Sequence, residues 1–487
     1  MWSVSDRAIG MRPLLVALAS VSLFSQLFVS GCVVGPSYRK PATTLEQFHS
    51  AAALQARPTS GPTPALETWW DGFNDPMLSR IVQGARDQNL DLAAALARVQ
   101  QARAAAREAG AQLLPTFDLN GQATRIHESL ESPIGQIASH VPAFNRNQSI
   151  YDAGLGANWE LDLFGGLRRG TEAASAEADA AIAEQVGTRI SVTADAADAY
   201  LRIRGDQARI AVAEQQVAID ERLLELVLQR FGRGLAAVRE VAQAEALMSQ
   251  ARASLQPLRI DLEAQMNRLD VLLGVQPGTF AAELQTPIDI PSLPSVPAND
   301  GPLDVLRRRP DVIAAERRLA ASDARIGQAL AEYYPKISLA GVLGYESSRP
   351  SDLFKAATFQ PQGVAGLRWR VFDFGKVSAE VAQARGAKAE ALARYQQAML
   401  RAAEEVEDAF TSLVLLEAHQ QELLTEVTAL TRARSASQEA YQGGVIALTD
   451  VLDADRQLLT AQDELAQTRA DSARAAVGTF RALGGGW

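Results

Sequence analysis

The chain is written twice, and no other feature restricts its fold so tightly. The segment from Leu90 to about Ala244 reappears about 210 to 220 positions later with its signposts in the same order. At the larger offset NLDLAAALARVQ answers RPDVIAAERRLA, and LLPTFDLNG, ending at Gly121, answers YYPKISLAG, ending at Gly341. At the smaller offset WELDLFGGL (Trp159 to Leu167) answers WRVFDFGKV (Trp369 to Val377), while Gly234 and Val241 match Gly444 and Val451. Only the segment between the Pro and Trp signposts changes length, being about ten residues longer in the first copy, and a length change confined there marks a loop.

Each copy predicts a long helical hairpin. Proline is absent from Ala143 to Gln256 and from Gln362 to the C-terminus, which permits very long helices. From Leu167 to Phe231 and from Val377 to Tyr441 the sequence is rich in Ala, Glu, Gln, Arg and Leu with no turn signal, so each helix is expected to span about 65 residues, roughly 100 Å at 1.5 Å per residue. In the second copy Tyr395, Met399, Ala402, Val406, Ala409, Leu413, Leu416, Gln420, Leu423, Val427 and Leu430 follow coiled-coil steps of four and three, with Gln420 alone polar. Gly232-Arg233-Gly234 and Gly443-Gly444 then punctuate the chain before a returning helix.

The other end of each copy predicts strands. Phe117, Leu119, Gly121 and Ala123 alternate with Thr116, Asp118, Asn120 and Gln122, and Ile337, Leu339, Leu343 and Tyr345 alternate with Lys336, Ser338 and Gly344. Leu155, Ala157, Trp159 and Leu161 oppose Asn158, Glu160 and Asp162, while Ala365, Leu367, Trp369 and Val371 oppose Gly366, Arg368 and Arg370. Four strands of about ten residues, apolar on one face and charged on the other, suit a membrane barrel; two half-buried soluble hairpins are the alternative. Strand phase places Asp118, Glu160, Arg368 and Arg370 toward a wet lumen. Four strands cannot close around a lumen, nor can their edges be left in lipid, so the barrel reading requires oligomers. Two copies give eight strands with a filled interior; three give twelve and a channel.

The N-terminus reads as a lipoprotein signal. Arg7 and Arg12 precede an apolar run from Leu14 to Val29, too short for a confident membrane span, and Val29-Ser30-Gly31-Cys32 has the small-residue pattern of a bacterial lipoprotein cleavage site. Cys32 is the single cysteine of the chain; a stray thiol is the competing reading. The formal net charge of -10 argues against nucleic acid as a partner. The four histidines, His49, His127, His140 and His419, show no metal-ligand spacing, and no nucleophile elbow or phosphate loop appears, so neither an enzyme, a metal site nor a cofactor is expected. Gly165-Gly166 reads as a bend from strand to helix, and the terminal glycines as a flexible tail.

The lipobox ending at Cys32, WWDGFNDPMLSRIV (Trp69 to Val82), WELDLFGGLRR, LRRRPDVIAAERRL (Leu306 to Leu319), YYPKISL, GGVIALTDVLDADRQLL and the terminal RALGGGW occur in order along the mature chain. With them the chain resembles the TolC-like outer membrane factors, most closely their OprM and NodT-type lipoprotein branch. The resemblance implies a homotrimer with a twelve-stranded β-barrel in the outer membrane, a twelve-helix α-barrel in the periplasm and a mixed equatorial domain. The expected organisation is a signal peptide (1–31), a lipidated segment with equatorial contacts (32–75), a first repeat (76–274), a Pro-rich equatorial linker (275–302), a second repeat (303–480) and an equatorial tail (481–487).

The implied function is the exit duct of a tripartite efflux system. It would passively conduct drugs or other toxic solutes from a resistance-nodulation-division (RND-type) inner-membrane transporter and a periplasmic membrane-fusion adaptor to the outside. Type I protein secretion or metal export is the alternative. By resemblance Asp453 is the counterpart of the family's constricting Asp, with Asp450 one turn toward the tip. Three copies of such an acid near one axis would repel one another and favour cations. Asp450 or Thr449 acting as a helix cap is the competing reading. Glu240 and Gln243 stand at the equivalent places of the first copy with Arg239 beside them, and Arg239 would pair with an acidic residue of a neighbouring hairpin and hold the duct shut. Gly232, Gly234, Gly443 and Gly444 would let an adaptor approach the backbone, or would merely permit left-handed turns.

Overall fold

A computed structural model describes residues 33–42, 46–57, 63–142, 144–297 and 301–487. The expected signal and the lipidation site at Cys32 lie outside the described residues. The helices before the first repeat are α1 (Ala51–Gln55) and α2 (Pro76–Gln88), preceded by a 3-10 segment at Leu66–Phe73. The first repeat comprises α3 (Leu90–Ala111), β1 (Thr116–His127), α4 (Pro133–Ala138), β2 (Asn147–Leu161), α5 (Gly166–Gly232) and α6 (Val238–Leu272). Two short helices, α7 (Ala281–Leu284) and α8 (Pro302–Arg308), lead to the second repeat: α9 (Pro310–Ala331), β3 (Lys336–Ser347), β4 (Phe359–Arg368), α10 (Lys376–Gln442) and α11 (Leu448–Ala482). The helices match in pairs: α3 and α9 have 22 residues each, α5 and α10 have 67, and α6 and α11 have 35. No helix among the described residues is long and apolar enough to cross a membrane.

The chain divides into two compact units. Among the described residues, one holds those of 33–40, 101–178 and 317–393, and the other those of 41–100, 179–316 and 394–487. The first contains an antiparallel sheet in the order β1-β2-β3-β4. Both hairpins use one register, since Thr116 lies opposite Asn158 and its repeat counterpart Lys336 lies opposite Arg368, the counterpart of Asn158. The indole of Trp159 donates to the carbonyl of Leu113 at 2.9 Å, and that of Trp369 donates to the carbonyl of Tyr333 at 3.0 Å. Each hairpin is thus tied to the segment before it by the same bond. The sequence puts β4 through Val371, but the strand ends at Arg368. The reason is the lack of a strand opposite residues 369–371 within this chain.

The second unit contains the main core. Its helices pack through the expected seam: Tyr395, Met399, Ala402, Val406, Leu413 and Leu423 are buried, and the other seam positions of α10 are half-buried. Helix α6 continues through Pro257, where one backbone hydrogen bond is necessarily absent. Trp69 is buried and stacks on Phe480 at 5.3 Å with the rings 8° from parallel, beside Trp70 and Phe73. The terminal glycines are not a flexible tail. Gly484, Gly485 and Gly486 are buried, Gly486 N–H donates to the Leu66 carbonyl at 2.7 Å, and a Cβ at Gly485 would lie 2.9 Å from that same oxygen. Side chains are excluded there because the backbone itself packs on Trp69.

Candidate functional site

The two hairpin tips are built alike. Helix α5 ends with the Leu235 N–H donating to Arg230 C=O at 2.8 Å and the Gly234 N–H to Phe231 C=O at 2.9 Å. Helix α10 ends with Val445 N–H to Ala440 C=O at 2.9 Å and Gly444 N–H to Tyr441 C=O at 3.0 Å. These are paired Schellman bonds, and they place Gly234 at φ 73° and Gly444 at φ 74°, a conformation in which a Cβ is penalised. Gly232 and Gly443 do not have positive φ and are not repeat counterparts; the first closes its helix and the second follows the last residue of α10. Among the four glycines, then, Gly234 and Gly444 carry the turns.

The acids expected beside the tips lie on the first turns of the returning helices. Asp450 is exposed and accepts the Ala447 N–H at 3.1 Å, so its carboxylate satisfies an otherwise orphan donor at the start of α11. Asp453 is exposed and pairs with Arg456 at 3.2 Å, one turn further along. Arg239 is exposed with no ion pair among the described residues, and Glu240 is half-buried. The hairpins meet through Leu223, Val227, Ala244, Tyr441, Leu448 and Val451. Arg230 lies over the Tyr441 ring at 4.6 Å and donates to its carbonyl at 3.3 Å. Burial raises the Tyr441 pKa; Arg230 opposes this and Glu240 reinforces it.

Behind the tips is a buried polar group that the sequence reading did not single out. Arg434 donates to the buried Asp455 at 2.7 Å. Asp220, 1% exposed, accepts from Gln216 at 2.8 Å, and its other carboxylate oxygen has no partner. Burial pushes the Asp220 pKa up to about 6; the Gln216 bond and Arg434 pull it down, and Asp455 pushes it up. The missed signal is periodic: Ala213, Gln216, Asp220, Leu223 and Val227 are all buried and follow steps of three and four, so two polar residues stand in an apolar stripe.

In the sheet, register puts Asp118 opposite Gly156, which is itself opposite Val342, opposite Gln362. Alternation from this row places Asp118, Glu160 and Arg368 on one polar face. Phe117, Leu119, Leu155, Trp159, Leu339 and Leu367 share the other. Arg370 lies two residues beyond β4 and pairs with Glu332 at 3.3 Å and Glu380 at 3.8 Å. Lys336 faces Arg368 across the strands, and Glu160, 3.9 Å away, and Glu332 balance it.

A family profile described as "Outer membrane efflux protein" matches residues 81–275 and 302–485. The chain is 31% identical over 480 residues to the solvent efflux pump outer membrane protein SrpC of Pseudomonas putida, covering 96% of this chain and 98% of that protein. It is 30% identical over 432 residues to the pyoverdine export outer membrane protein OpmQ of Pseudomonas putida, covering 88% and 91%. Among solved structures, the outer-membrane channel OprN superposes with a TM-score of 0.85 at 32% identity, covering 94% of this chain and all of that one.

Proposed function

Because this chain belongs to the outer membrane efflux protein family, we propose that three copies of it close one exit duct in the outer membrane for an RND-type inner-membrane transporter and a periplasmic adaptor. The observation that carries the reading is the open four-stranded sheet, apolar on one face and charged on the other. Such a sheet has two unpaired edges that lipid cannot satisfy, and twelve strands are the fewest multiples of four that leave a channel. Asp118, Glu160 and Arg368 then line the wet side, with Arg370 at its rim, and the apolar face meets the outer membrane lipid. Cys32 carries the lipid anchor. The duct performs no catalysis; its energy comes from the partner transporter.

The cargo is drugs or other toxic solutes, supported by the relative named for solvent efflux; the relative named for pyoverdine export supports a second reading, an exported metabolite. At the tips, the exposed Leu235 and Val445, next to Gly234 and Gly444, offer the adaptor an apolar end. Asp450 and Asp453 set the charge of the constriction, and Arg239 pairs with an acid of the adjacent hairpin to hold it closed. The primary test is accumulation of unrelated dyes and antibiotics in cells lacking the gene. Raised accumulation reversed by the wild-type protein supports drug efflux, whereas unchanged accumulation with loss of a secreted metabolite moves the cargo to the second reading. For the gate, Arg239→Ala is expected to raise single-channel conductance in planar bilayers; an unchanged conductance discards the lock.

A further inference from the structure

The apolar face of the sheet is interrupted at one place. Strand pairing puts the odd-numbered residues of all four strands on that face, and among them Arg125 alone carries a permanent charge. It is exposed and has no hydrogen bond or ion pair among the described residues. The acids at this end lie on the other face, where Asp152 is opposite Gln122 and Glu346. A cation on the lipid side of a barrel is costly at the bilayer midplane and tolerated near either surface. Arg125 lies eight residues beyond Phe117, about 27 Å along a strand and about 20 Å in depth once the strand is tilted, near the level where an apolar band of about 25 Å gives way to headgroups.

A second unpaired cation continues its row. Arg125 is opposite Ser149 and Tyr151 is opposite Ser347, so Arg349, two residues past Ser347 and still extended at φ -132° and ψ 134°, stands across Ser149 from Arg125. Two strand spacings put their backbones about 10 Å apart, within the joint reach of two arginine side chains around one anion. The Arg349 side chain is exposed, with no hydrogen bond or ion pair among the described residues, and the single acid of its loop, Asp352, is already paired with Lys355. The loop folds onto the apolar face, since Phe354 packs against the Tyr345 ring at 5.5 Å and Phe359 meets the same ring at 5.4 Å.

We propose that Arg125 and Arg349 bind the phosphate groups of outer-leaflet lipids, with Tyr345, Phe354 and Phe359 against the acyl boundary just below them. The proposal rests on the membrane-barrel reading above and names the lipid chemistry that the outer end of the sheet selects. Continuity and charge both specify this occupant. The site prolongs the lipid-facing surface, so a ligand held there lays its acyl chains along that surface. Both cations lack a protein counter-charge, whereas the neighbouring acids Asp152 and Glu346 are turned to the wet side. Guanidinium groups match phosphate oxygens bidentately, and aromatic rings settle where chains meet headgroups. The repeat counterpart of Arg125 is Tyr345, so the two hairpins of one chain share one such site.

Native mass spectrometry of the purified full chain in detergent, with dioleoylphosphatidylglycerol or dioleoylphosphatidylcholine added, tests the site. Wild type is expected to bind the anionic lipid more tightly than the zwitterionic one. Arg125→Gln/Arg349→Gln should weaken binding of the anionic lipid by about tenfold or more, since each cation near an anionic surface contributes about a factor of five. Asp152→Asn/Glu346→Gln, altered at the same level on the other face, should leave it within about twofold of wild type. Undiminished binding of phosphatidylglycerol by the double arginine variant overturns the proposal, and so does its displacement by inorganic phosphate, which would make the ligand a free anion. If the glutamine variant does not assemble, wild type in high salt must lose its preference for the anionic lipid, and a preference that survives screening overturns the site. A fluorophore on Leu343→Cys, exposed on the same face, tests the underlying reading separately. Quenching by nitroxide-bearing acyl chains keeps the membrane barrel whatever the arginines do, and no quenching overturns the barrel itself.

Discussion

In the first repeat, helix α5 carries the buried Asp220; at the matched position of the second repeat, helix α10 carries Leu430. The second repeat has Arg434 and the buried Asp455 where the first has Leu224 and Glu245. Helix lengths, strand register and both left-handed turns have stayed the same, yet the charges inside have diverged. They diverged jointly: Arg434 and Asp455 both act on the titration of Asp220. The lesson is that backbone geometry constrains both copies equally, because a shifted turn or register disrupts a whole hairpin. An interior side chain answers only to its neighbours, and those of Asp220 include Arg434 and Asp455 of the other copy beside Gln216 of its own.

Arg434→Ala should break this complementarity most severely. It leaves Asp455 buried without its cation, a loss of about 3 kcal/mol or more, read as a lowered midpoint of thermal unfolding in detergent. Removing the matched Leu224, which holds no charge, should cost less, and equal losses would argue that the pair does not stabilise the hairpins. Asp220 gives the next effect through pH. Its folded pKa of about 6 exceeds the model-peptide value of 3.8, so the folded state binds a proton more tightly. Stability from this group therefore rises as pH falls through 6 toward 4, by about 2 kcal/mol, and is lost again above 6. Asp220→Asn should flatten that slope relative to wild type; parallel curves would refute the assignment. Gly234→Ala and Gly444→Ala should each cost about 1–2 kcal/mol, because both place a Cβ at positive φ. Their near equality, measured by the same unfolding midpoint, would confirm that the turns remained equivalent while the interiors did not.

Much of this was legible in the sequence for physical reasons. Helices longer than any ordinary core can be read where Pro and turn signals are absent over such a span, and Gly234 and Gly444 mark their ends because few other residues tolerate that turn. Period two exposed the strands and sorted Asp118, Glu160 and Arg368 onto one face. What stayed hidden depended on partners distant in sequence. Nothing near Gly485 reveals that Trp69 will lie against it, and Asp220 resembles any helical surface acid until the apolar stripe around it is traced. Asp450 was legible in two roles, and the bond from Ala447 N–H shows it serving as a cap whatever else it does. Trp369 to Val371 read as strand and are not, because a strand needs a partner and periodicity does not supply one.

The common register of the two hairpins also governs how such a gene can change. A one-residue insertion within 116–127 or 336–347 would exchange the greasy and charged sides of everything beyond it, whereas insertions within 128–146 leave every pairing intact. The loops joining the strands can therefore change length at no cost to the sheet, and the first, at 128–146, is the longer of the two.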